Sequence, residues 1–365
     1  MGIPDIQTWL DVVSTQLNVD LDYMDPEFTL SLLPVVPNDM TSNQFIVHDR
    51  MCHPDNEALL KEVAKEYKDR GWLAIYTRIA VLMCKANIDN IKGRVLLQTL
   101  PSYAYNTEMT VEHARTYARE FESVGISKDR LCIKIPATGP ALSACPILLK
   151  DGIRTLGTAV FSVHQAIAAS QASCLYISPY YNEILAHLDQ THWPKSSDPA
   201  LLHPFSSRFI QILETYKRLY KETGKEQPYI KQAGFLSAQE VMASAEIGCH
   251  SATIPRQVLQ ELSQLKYDAS QQPGEGLAKP PHPYLDAPPA PARLQKVLGV
   301  DPLTSNWDGK LAGADIDYLA DNGAILDKAN EADPETKRRL SEALMAFVGA
   351  EKRSQAKIEE VVNAL

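Results

Sequence analysis

Residues 131–138 decide the fold, and they read Leu131-Cys132-Ile133-Lys134-Ile135-Pro136-Ala137-Thr138. Apolar side chains at positions 131, 133 and 135 alternate with the residues between them, which is the pattern of a strand packed on one face against helices. Lys134 therefore points to the opposite face of this strand. Similar short runs recur along the chain with helical patterns between them, which indicates βα units and a parallel sheet.

The runs predict eight strands, over residues 19–22, 41–47, 94–100, 131–137, 155–161, 175–180, 229–235 and 251–255. Apolar residues at helical spacing predict helices between them, for example over residues 56–70, 111–124, 142–150 and 204–223. Eight alternating units most simply close into an α/β fold of the (β/α)8 (TIM) barrel type, with extra C-terminal helices. The active site of such a barrel lies at the carboxyl ends of its strands.

The prediction divides the chain into a barrel (residues 1–256), a Pro-rich arm with an irregular insertion (257–332) and C-terminal helices (333–365). Residues 273–293 are rich in Pro and Ala, and Pro removes a backbone donor, so we expect an extended surface arm there. We expect Asp333 to cap the final helical region and Pro334 to lie in its first turn. This region carries an apolar stripe that packs on the barrel or on a second subunit and comprises Leu340, Leu344, Phe347, Ile358, Val361 and Val362.

Charge and composition exclude several classes of function. The formal net charge is −9, and no long stretch clusters Lys and Arg, so we expect no nucleic-acid partner. The first residues, MGIPDIQTWLDVV, lack the basic start of a signal peptide, and no apolar run approaches the roughly 20 residues that span a bilayer. Gly2 is not followed by the Ser or Thr of a myristoylation signal. We therefore predict a cytoplasmic protein without a membrane partner.

Cysteine and histidine spacing gives no sign of a disulfide framework or a metal site. The six cysteines are scattered without a CxxC pair, which suits a reducing compartment. The densest candidate metal cluster is His48, Asp49, Cys52 and His53, but it lacks zinc-finger spacing and a second ligand pair, so we interpret it as a surface loop. We predict that the protein needs neither a metal nor another cofactor.

A lysine inside a barrel suggests chemistry, because burial disfavours the ammonium ion and favours the neutral amine. A neutral amine is the nucleophile that attacks a carbonyl to form a Schiff base. The alternative for Lys134 is a strand-end lysine that reaches water or pairs with an acid. Further polar residues fall near strand ends, and together they favour a catalytic site around Lys134 over this alternative. They are Asp22, Asn43, Gln98, Thr158, Ser178 and Tyr180. Each of them alone is explained as a satisfied polar residue or a helix cap.

Three motifs in register resemble the transaldolase family. Residues 129–138 resemble its Schiff-base lysine strand, and 177–180 (ISPY) resemble its ISPF segment. Between them, residues 151–153 (DGI), Thr158 and 161–166 (FSVHQA) resemble the family's EGI, T and LFSxxQA spacing. The resemblance covers roughly residues 15 to 256 and weakens after that.

The resemblance implies a role for each matched residue. Lys134 would be the covalent nucleophile, and Asp22 would transfer protons and position a hydroxyl group. Asn43 and Ser178 would contact the substrate, and Thr158 would hold a catalytic water. The family also implies a homodimer, to which the amphipathic C-terminal region would contribute.

Two departures resemble the branch of the family that cleaves or forms fructose 6-phosphate directly. Gln98 stands where typical transaldolases carry a glutamate that orients the water, and Tyr180 replaces the Phe of ISPF. A tyrosine hydroxyl can itself hold a water and move a proton. The set of Lys134, Gln98, Thr158 and Tyr180 therefore indicates an aldolase.

Other departures concern the substrate. The two family arginines that grip a sugar phosphate fall at Glu183 and Leu236, and a carboxylate repels a phosphate. Leu156 replaces an asparagine on the lysine-facing side of its strand, which makes the pocket more apolar. Lys231 could supply a new anion contact, although we interpret it as an exposed strand-edge lysine.

We therefore predict a class I aldolase-like enzyme that forms or cleaves a carbon–carbon bond of an unphosphorylated carbonyl substrate. One alternative is a transaldolase of the pentose phosphate pathway, against which Glu183, Leu236 and Gln98 argue. A second is a specialised-metabolism enzyme that uses the same lysine for another condensation. A third is a catalytically silent binding barrel, which the presence of Lys134, Asp22 and Thr158 together disfavours.

Overall fold

The computed structural model describes residues 7–365 except residues 272, 275, 286 and 306. Within these residues, eight parallel strands pair in chain order and close into a barrel, which confirms the predicted (β/α)8 fold. The strands are β1 (Asn18–Asp22), β2 (Met40–Thr41), β3 (Val95–Gln98), β4 (Leu131–Pro136), β5 (Thr155–Val160), β6 (Tyr176–Pro179), β7 (Tyr229–Gln232) and β8 (Ser251–Pro255).

Helices surround the barrel and extend beyond it. Those that accompany strands β1 to β4 are α1 (Trp9–Gln16), α2 (Pro26–Ser31), α3 (Gln44–Met51), α4 (Glu57–Tyr67), α5 (Trp72–Lys85), α6 (Thr107–Ser123) and α7 (Gly139–Lys150). Those that follow are α8 (Val163–Gln171), α9 (Ile184–Leu188), α10 (Pro199–Leu202), α11 (Ser206–Thr223), α12 (Ala238–Ile247), α13 (Arg256–Gln264), α14 (Ala320–Ala332) and α15 (Pro334–Asn363).

The strand predicted over 41–47 is wrong beyond its first residue, because helix α3 begins at Gln44. The side-chain oxygen of Asn43 accepts hydrogen bonds from the backbone N–H groups of Phe45 (3.0 Å) and Ile46 (3.2 Å). This cap satisfies donors that a helix start otherwise leaves free. The apolar run that follows Asn43 favours a strand by propensity, and the capped helix overrides that preference.

Helix α3 also corrects the interpretation of the His48 cluster as a surface loop. His48 and Asp49 lie within α3, and Cys52 follows its last residue. The Nδ1 atom of His48 lies 3.2 Å from the hydroxyl of Ser354 on α15, so this histidine contacts the C-terminal helix. Among the residues that the structure describes, no three His, Cys, Asp or Glu side chains are grouped to hold a metal.

Alternation along the strands divides the apolar residues between two environments. Leu131, Ile133 and Ile135 belong to the large core between the barrel and its helices. Cys132 belongs to a smaller cluster inside the barrel, together with Leu96, Leu156 and Tyr176. This division confirms that the face of β4 that carries Lys134 is the interior of the barrel.

Helices α14 and α15 lie against the loops that follow the carboxyl ends of the strands. Asp327 of α14 accepts a hydrogen bond from the backbone N–H of Gly139, just after β4, at 2.7 Å. Glu351 of α15 accepts one from the Ser102 hydroxyl, just after β3, at 2.7 Å. As predicted, Asp333 caps α15, with Pro334 in its first turn. The C-terminal helices therefore cover the end of the barrel where the site lies.

Residues 273–293 contain no helix before Ala292 among the residues that the structure describes, and residues 275 and 286 lie outside them. Tyr284 of this segment is buried against the rings of His250 (5.0 Å between centroids) and Tyr216 (6.1 Å). This part of the segment therefore packs on the barrel. In the described part of the chain, no helix is both long and apolar enough to cross a membrane.

Candidate active site

Lys134 projects from the centre of β4 into the barrel and is 3% exposed. Its neighbours in strand register are Gln98 on β3 and Leu156 on β5. Burial lowers the pKa of the Lys134 amine, the carboxylate of Asp22 opposes this effect, and the ammonium of Lys231 adds to it. The environment therefore favours the neutral amine, which is the nucleophilic form.

Asp22 ends β1 and is half-buried, and its Oδ1 accepts a 2.7 Å hydrogen bond from the hydroxyl of Thr41 at the end of β2. Burial raises the pKa of the Asp22 carboxyl, while Lys134 and the Thr41 hydrogen bond oppose the rise. A carboxyl group whose pKa is raised can accept a proton and return it during a reaction. Thr41 was not among the site residues predicted from the sequence, although it occupies the strand end next to Asp22.

Thr158 and Tyr180 form a buried pair whose hydroxyl oxygens lie 3.0 Å apart. The pairing of β5 with β6 shifts between Thr158 and Val160, and Ala159 adopts a left-handed conformation with φ 56°. Such a bulge changes the direction of nearby side chains. Burial raises the pKa of the Tyr180 phenol, so it stays protonated and can donate a hydrogen bond at neutral pH.

Gln98 is buried beside Lys134, and neither its amide nitrogen nor its amide oxygen has a hydrogen-bond partner among the described residues. Buried polar groups normally have a partner, which is protein or an ordered molecule. The amide is therefore available to a water or a substrate. Being neutral, it can orient such a molecule without taking its proton.

Three other predicted substrate contacts already interact with groups of the protein itself. The Ser178 hydroxyl donates a 2.8 Å hydrogen bond to the carbonyl oxygen of Lys231, and the Asn43 oxygen caps α3. Leu156 packs inside the barrel with Leu96 and Cys132. Of this group, Asn43 keeps some exposure, as Asp22 does, and these two residues mark the more open side of the site.

Glu183 and Leu236 lie after β6 and β7, where the resemblance places phosphate-binding arginines. The buried Glu183 carboxylate pairs with Arg338 of α15 at 2.7 Å and with Arg339 at 3.5 Å, and it lies 3.4 Å from the His192 ring. Leu236 is half-buried, and its backbone N–H donates to Glu240. Glu183 therefore contacts the C-terminal helix, a partner that the sequence analysis did not foresee.

A second set of charged residues lies inside the barrel, and its two acids, Asp20 and Asp39, were not recognised from the sequence. Lys231 is 0% exposed, so its interpretation as an exposed strand-edge lysine is wrong. Its ammonium pairs with Asp20 and with Asp39 (3.0 Å), and lies 4.5 Å from the centre of the Tyr176 ring. Asp20 lies two residues before Asp22 on β1 and so on the same face of the strand, which means that the period of two could have placed it in the interior.

The electrostatics of this set differ from those of Lys134. Burial by itself would lower the pKa of Lys231, but Asp20 and Asp39 outweigh burial and raise it. Burial raises the pKa of Asp20 to about 7, against the opposing effect of Lys231. Lys231 therefore stays protonated and is not a nucleophile.

The sequence model of the Transaldolase/Fructose-6-phosphate aldolase family matches residues 19–284. Among similar curated proteins, a transaldolase from Synechocystis sp. is 25% identical over 338 residues, which cover 90% of this chain and 75% of the relative. A transaldolase from Gloeobacter violaceus is 28% identical, over 62% of this chain and 58% of the relative. One from Methylococcus capsulatus is 31% identical, over 51% of this chain and 54% of the relative. The matches to the last two thus span just over half of those relatives' lengths.

Proposed function

This chain belongs to the transaldolase/fructose-6-phosphate aldolase family, and from that premise we propose that it acts on an unphosphorylated carbonyl compound through a Schiff base on Lys134. The reaction forms or cleaves a carbon–carbon bond. The observation that carries the proposal is the amine of Lys134, which is buried inside the barrel, interacts electrostatically with the Asp22 carboxylate and has a lowered pKa. Such an amine is poised to attack a ketone.

In the cleavage direction, the neutral amine of Lys134 adds to the carbonyl carbon, and the carbinolamine takes up one proton and loses water to leave an iminium ion. The iminium withdraws electrons from the neighbouring carbon–carbon bond. Asp22 accepts the proton of the hydroxyl group on the far carbon, so that the bond breaks to give an aldehyde and an enamine. Asp22 then returns this proton, through a water held by Thr158 and Tyr180, to the enamine carbon, and hydrolysis of the resulting iminium frees the ketone, restores the amine and releases the proton taken up on dehydration.

The neutral Gln98 and the phenol of Tyr180 support aldol cleavage or condensation over group transfer. The unpartnered amide of Gln98 can orient a water, and the Thr158–Tyr180 pair can pass its proton. Transfer of the enamine to a second aldehyde is the second candidate function, and the curated names of the relatives favour it. A condensation in specialised metabolism would use the same lysine and the same enamine.

Charges at the open end of the site support an unphosphorylated substrate. Arg338 lies there, but it already contacts the carboxylates of Glu183 (2.7 Å), Glu335 (2.9 Å) and Glu342 (2.9 Å). A phosphate would have to compete with these groups for the guanidinium. Leu236 adds no charge, and Leu156 adds apolar surface inside the barrel.

Steady-state kinetics with matched substrates tests the proposal. Neutral ketones and aldehydes should saturate the enzyme, whereas fructose 6-phosphate and erythrose 4-phosphate should show little saturation. Lys134→Met should be inactive on both sets and gives the background rate. An enzyme that prefers the phosphorylated member of each pair would overturn the substrate class and favour the transaldolase function. Homodimer formation, a cytoplasmic location and cofactor independence stay predictions.

A further inference from the structure

Thr253 lies inside the barrel on β8, and the reaction described above does not use it. Its partner in strand register is Asp20 of β1, whose carboxylate meets the buried ammonium of Lys231 in the interior. Its chain neighbours Ala252 and Ile254 belong to the large core between the barrel and its helices. Because side chains alternate along a strand, Thr253 points inward, where it is 1% exposed.

The strand registers place Thr253 in the same layer of interior side chains as Lys134. In a barrel of this kind a layer takes one side chain from every second strand, and the tilt of the strands moves the layer forward by about two residues at each such step. Applied to the registers around the barrel, this rule gives one layer that consists of Thr41, Lys134, Ser178 and Thr253, and it leads from Thr253 back to Lys134. Strands β4 and β8 lie on opposite sides of the closed barrel, so Thr253 faces Lys134 across its axis.

The hydroxyl of Thr253 differs from the other hydroxyl groups of this layer, because it has no hydrogen-bond partner among the described residues. The Thr41 hydroxyl donates to Asp22 at 2.7 Å, and the Ser178 hydroxyl donates to the carbonyl oxygen of Lys231 at 2.8 Å. Buried polar groups normally have a partner, and a buried group without one destabilises the protein. The Thr253 hydroxyl is therefore available to a molecule that enters the barrel and reaches Lys134.

We propose that Thr253 determines substrate specificity: its hydroxyl forms a hydrogen bond with a hydroxyl group of the substrate while the substrate is attached to Lys134. The inference rests on the proposed function of Lys134 as the nucleophile. An imine on Lys134 holds the former carbonyl carbon near the barrel axis, so the carbons next to it extend towards the opposite wall, where Thr253 lies. Thr253 contacts the substrate there and takes no part in breaking the carbon–carbon bond.

The groups that face this space favour a ketone with a hydroxyl group on the carbon next to its carbonyl. The Thr253 hydroxyl can both donate and accept a hydrogen bond, and the amide of Gln98, beside Lys134 in strand register, also lacks a partner among the described residues. A hydroxylated ketone satisfies these groups, whereas an apolar ketone leaves them buried and unpaired. A site that bonds a substrate hydroxyl rejects the analogue that lacks it. The expected substrate is therefore an unphosphorylated hydroxyketone.

Thr215 provides a matched control for Thr253. It lies on α11, outside the barrel, and it is also 1% exposed and also has a hydroxyl without a hydrogen-bond partner among the described residues. Replacing either threonine by valine removes the hydroxyl and keeps the branched shape of the side chain. A difference between the two variants therefore reports on the position of Thr253 inside the barrel.

The test compares two ketones that differ by one hydroxyl group, hydroxyacetone and acetone, each with the same neutral aldehyde and the full-length enzyme. In Thr253→Val, kcat/KM for hydroxyacetone should fall about tenfold, mainly through a higher KM, which is the size of one hydrogen bond. For acetone it should change by less than about twofold, because no hydrogen bond to this ketone is lost. Thr253→Ser retains the hydroxyl and should keep the preference for hydroxyacetone, and Thr215→Val should match the wild type on both ketones.

Circular dichroism and thermal melting check the fold of each variant, and Thr253→Ala is a second variant without the hydroxyl if Thr253→Val folds poorly. An unchanged ratio of the two kcat/KM values in a folded variant without the hydroxyl would overturn the proposal and leave Thr253 a packing residue. Equal losses for both ketones would also overturn it, because the hydroxyl would then not act on the hydroxyl group of the substrate. A wild type that prefers acetone would contradict the proposed substrate class.

Failure of the inference differs from failure of the proposed function. If Lys134 is not the nucleophile, borohydride traps no adduct on Lys134 with either ketone in the wild type. If Lys134 is the nucleophile but Thr253 does not contact the substrate, the wild type is trapped on Lys134, and Thr253→Val discriminates between the two ketones as Thr215→Val does.

Discussion

Lys134 and Lys231 are two buried lysines in one barrel, and their pKa values are shifted in opposite directions. The pKa of Lys134 is lowered, chiefly by burial, and that of Lys231 is raised against the same effect. Among the described residues, Lys231 meets two carboxylates in ion pairs, whereas Asp22 is the carboxylate that acts on Lys134. Burial alone therefore does not make a lysine reactive; the number of carboxylates that meet it decides its charge.

The difference also extends to the neutral groups around each lysine. The site of Lys134 provides a neutral amide from Gln98 and the hydroxyl groups of Thr158 and Tyr180. These groups can hold a water or a substrate without charging the amine. Lys231 instead is surrounded by the ring of Tyr176 and by the carboxylates of Asp20 and Asp39, which pair with its ammonium. One environment supports chemistry, and the other holds a charge.

The largest expected effect is on stability, and it separates the two lysines. Lys231→Met should lower the free energy of unfolding by about 3–5 kcal/mol, because it leaves two buried carboxylates without their cation. Lys134→Met should change it by less than about 1 kcal/mol, since burial already weakens the charged form of this amine and Met keeps the length of the side chain. Chemical denaturation of both variants measures the contrast. Equal losses of unfolding free energy in the two variants would mean that Lys134 and Lys231 do not differ in charge as described.

A second prediction concerns the hydroxyl pair that distinguishes the environment of Lys134. Tyr180→Phe keeps the ring and its edge contact with Phe161 but removes the donor that meets Thr158. Turnover should fall about 10²-fold, the usual size of one acid–base contact, while borohydride trapping of the iminium continues. Comparing turnover with single-turnover trapping measures this split. If turnover is unchanged, Tyr180 serves only as a wall of the site.

A smaller effect is expected from adding an unpaired cation near the site. Leu236→Arg is preferable to Glu183→Arg, because an arginine at 183 would face Arg338 and Arg339 and lose the pairs that hold α15. The variant should lower the KM for phosphorylated substrates about tenfold, through charge-assisted hydrogen bonds to phosphate. The gain should shrink at high salt. Leu236→Met is the matched neutral control, and equal KM values for the two variants would remove Leu236 from the substrate subsite.

The sequence was sufficient to predict the barrel and the interior position of Lys134, because the alternation of side chains along a strand is a local pattern. The same alternation could have found Asp20, two residues before Asp22, but not its partner. Asp20 and Lys231 are separated by 211 positions and meet only because the barrel closes. The contact of Glu183 with Arg338 spans 155 positions and likewise depends on tertiary packing.

Local chemistry explains the error at the second strand. The run after Asn43 has strand propensity, but the Asn43 side-chain oxygen accepts hydrogen bonds from the backbone N–H groups of Phe45 and Ile46, and this cap favours helix α3 instead. Candidate substrate contacts were also harder to predict than the interior position of Lys134. The Asn43 oxygen and the Ser178 hydroxyl each make a hydrogen bond within the protein, which their residue type alone does not reveal.

The most direct test of the central claim is to locate the trapped adduct. The wild type is incubated with a neutral ketone and borohydride, digested, and mapped by peptide mass spectrometry. The account predicts one adduct, on the peptide that contains Lys134, with the peptide that contains Lys231 unmodified, and no adduct on either peptide in Lys134→Met. An adduct on Lys231, or trapping that persists in Lys134→Met, would contradict it.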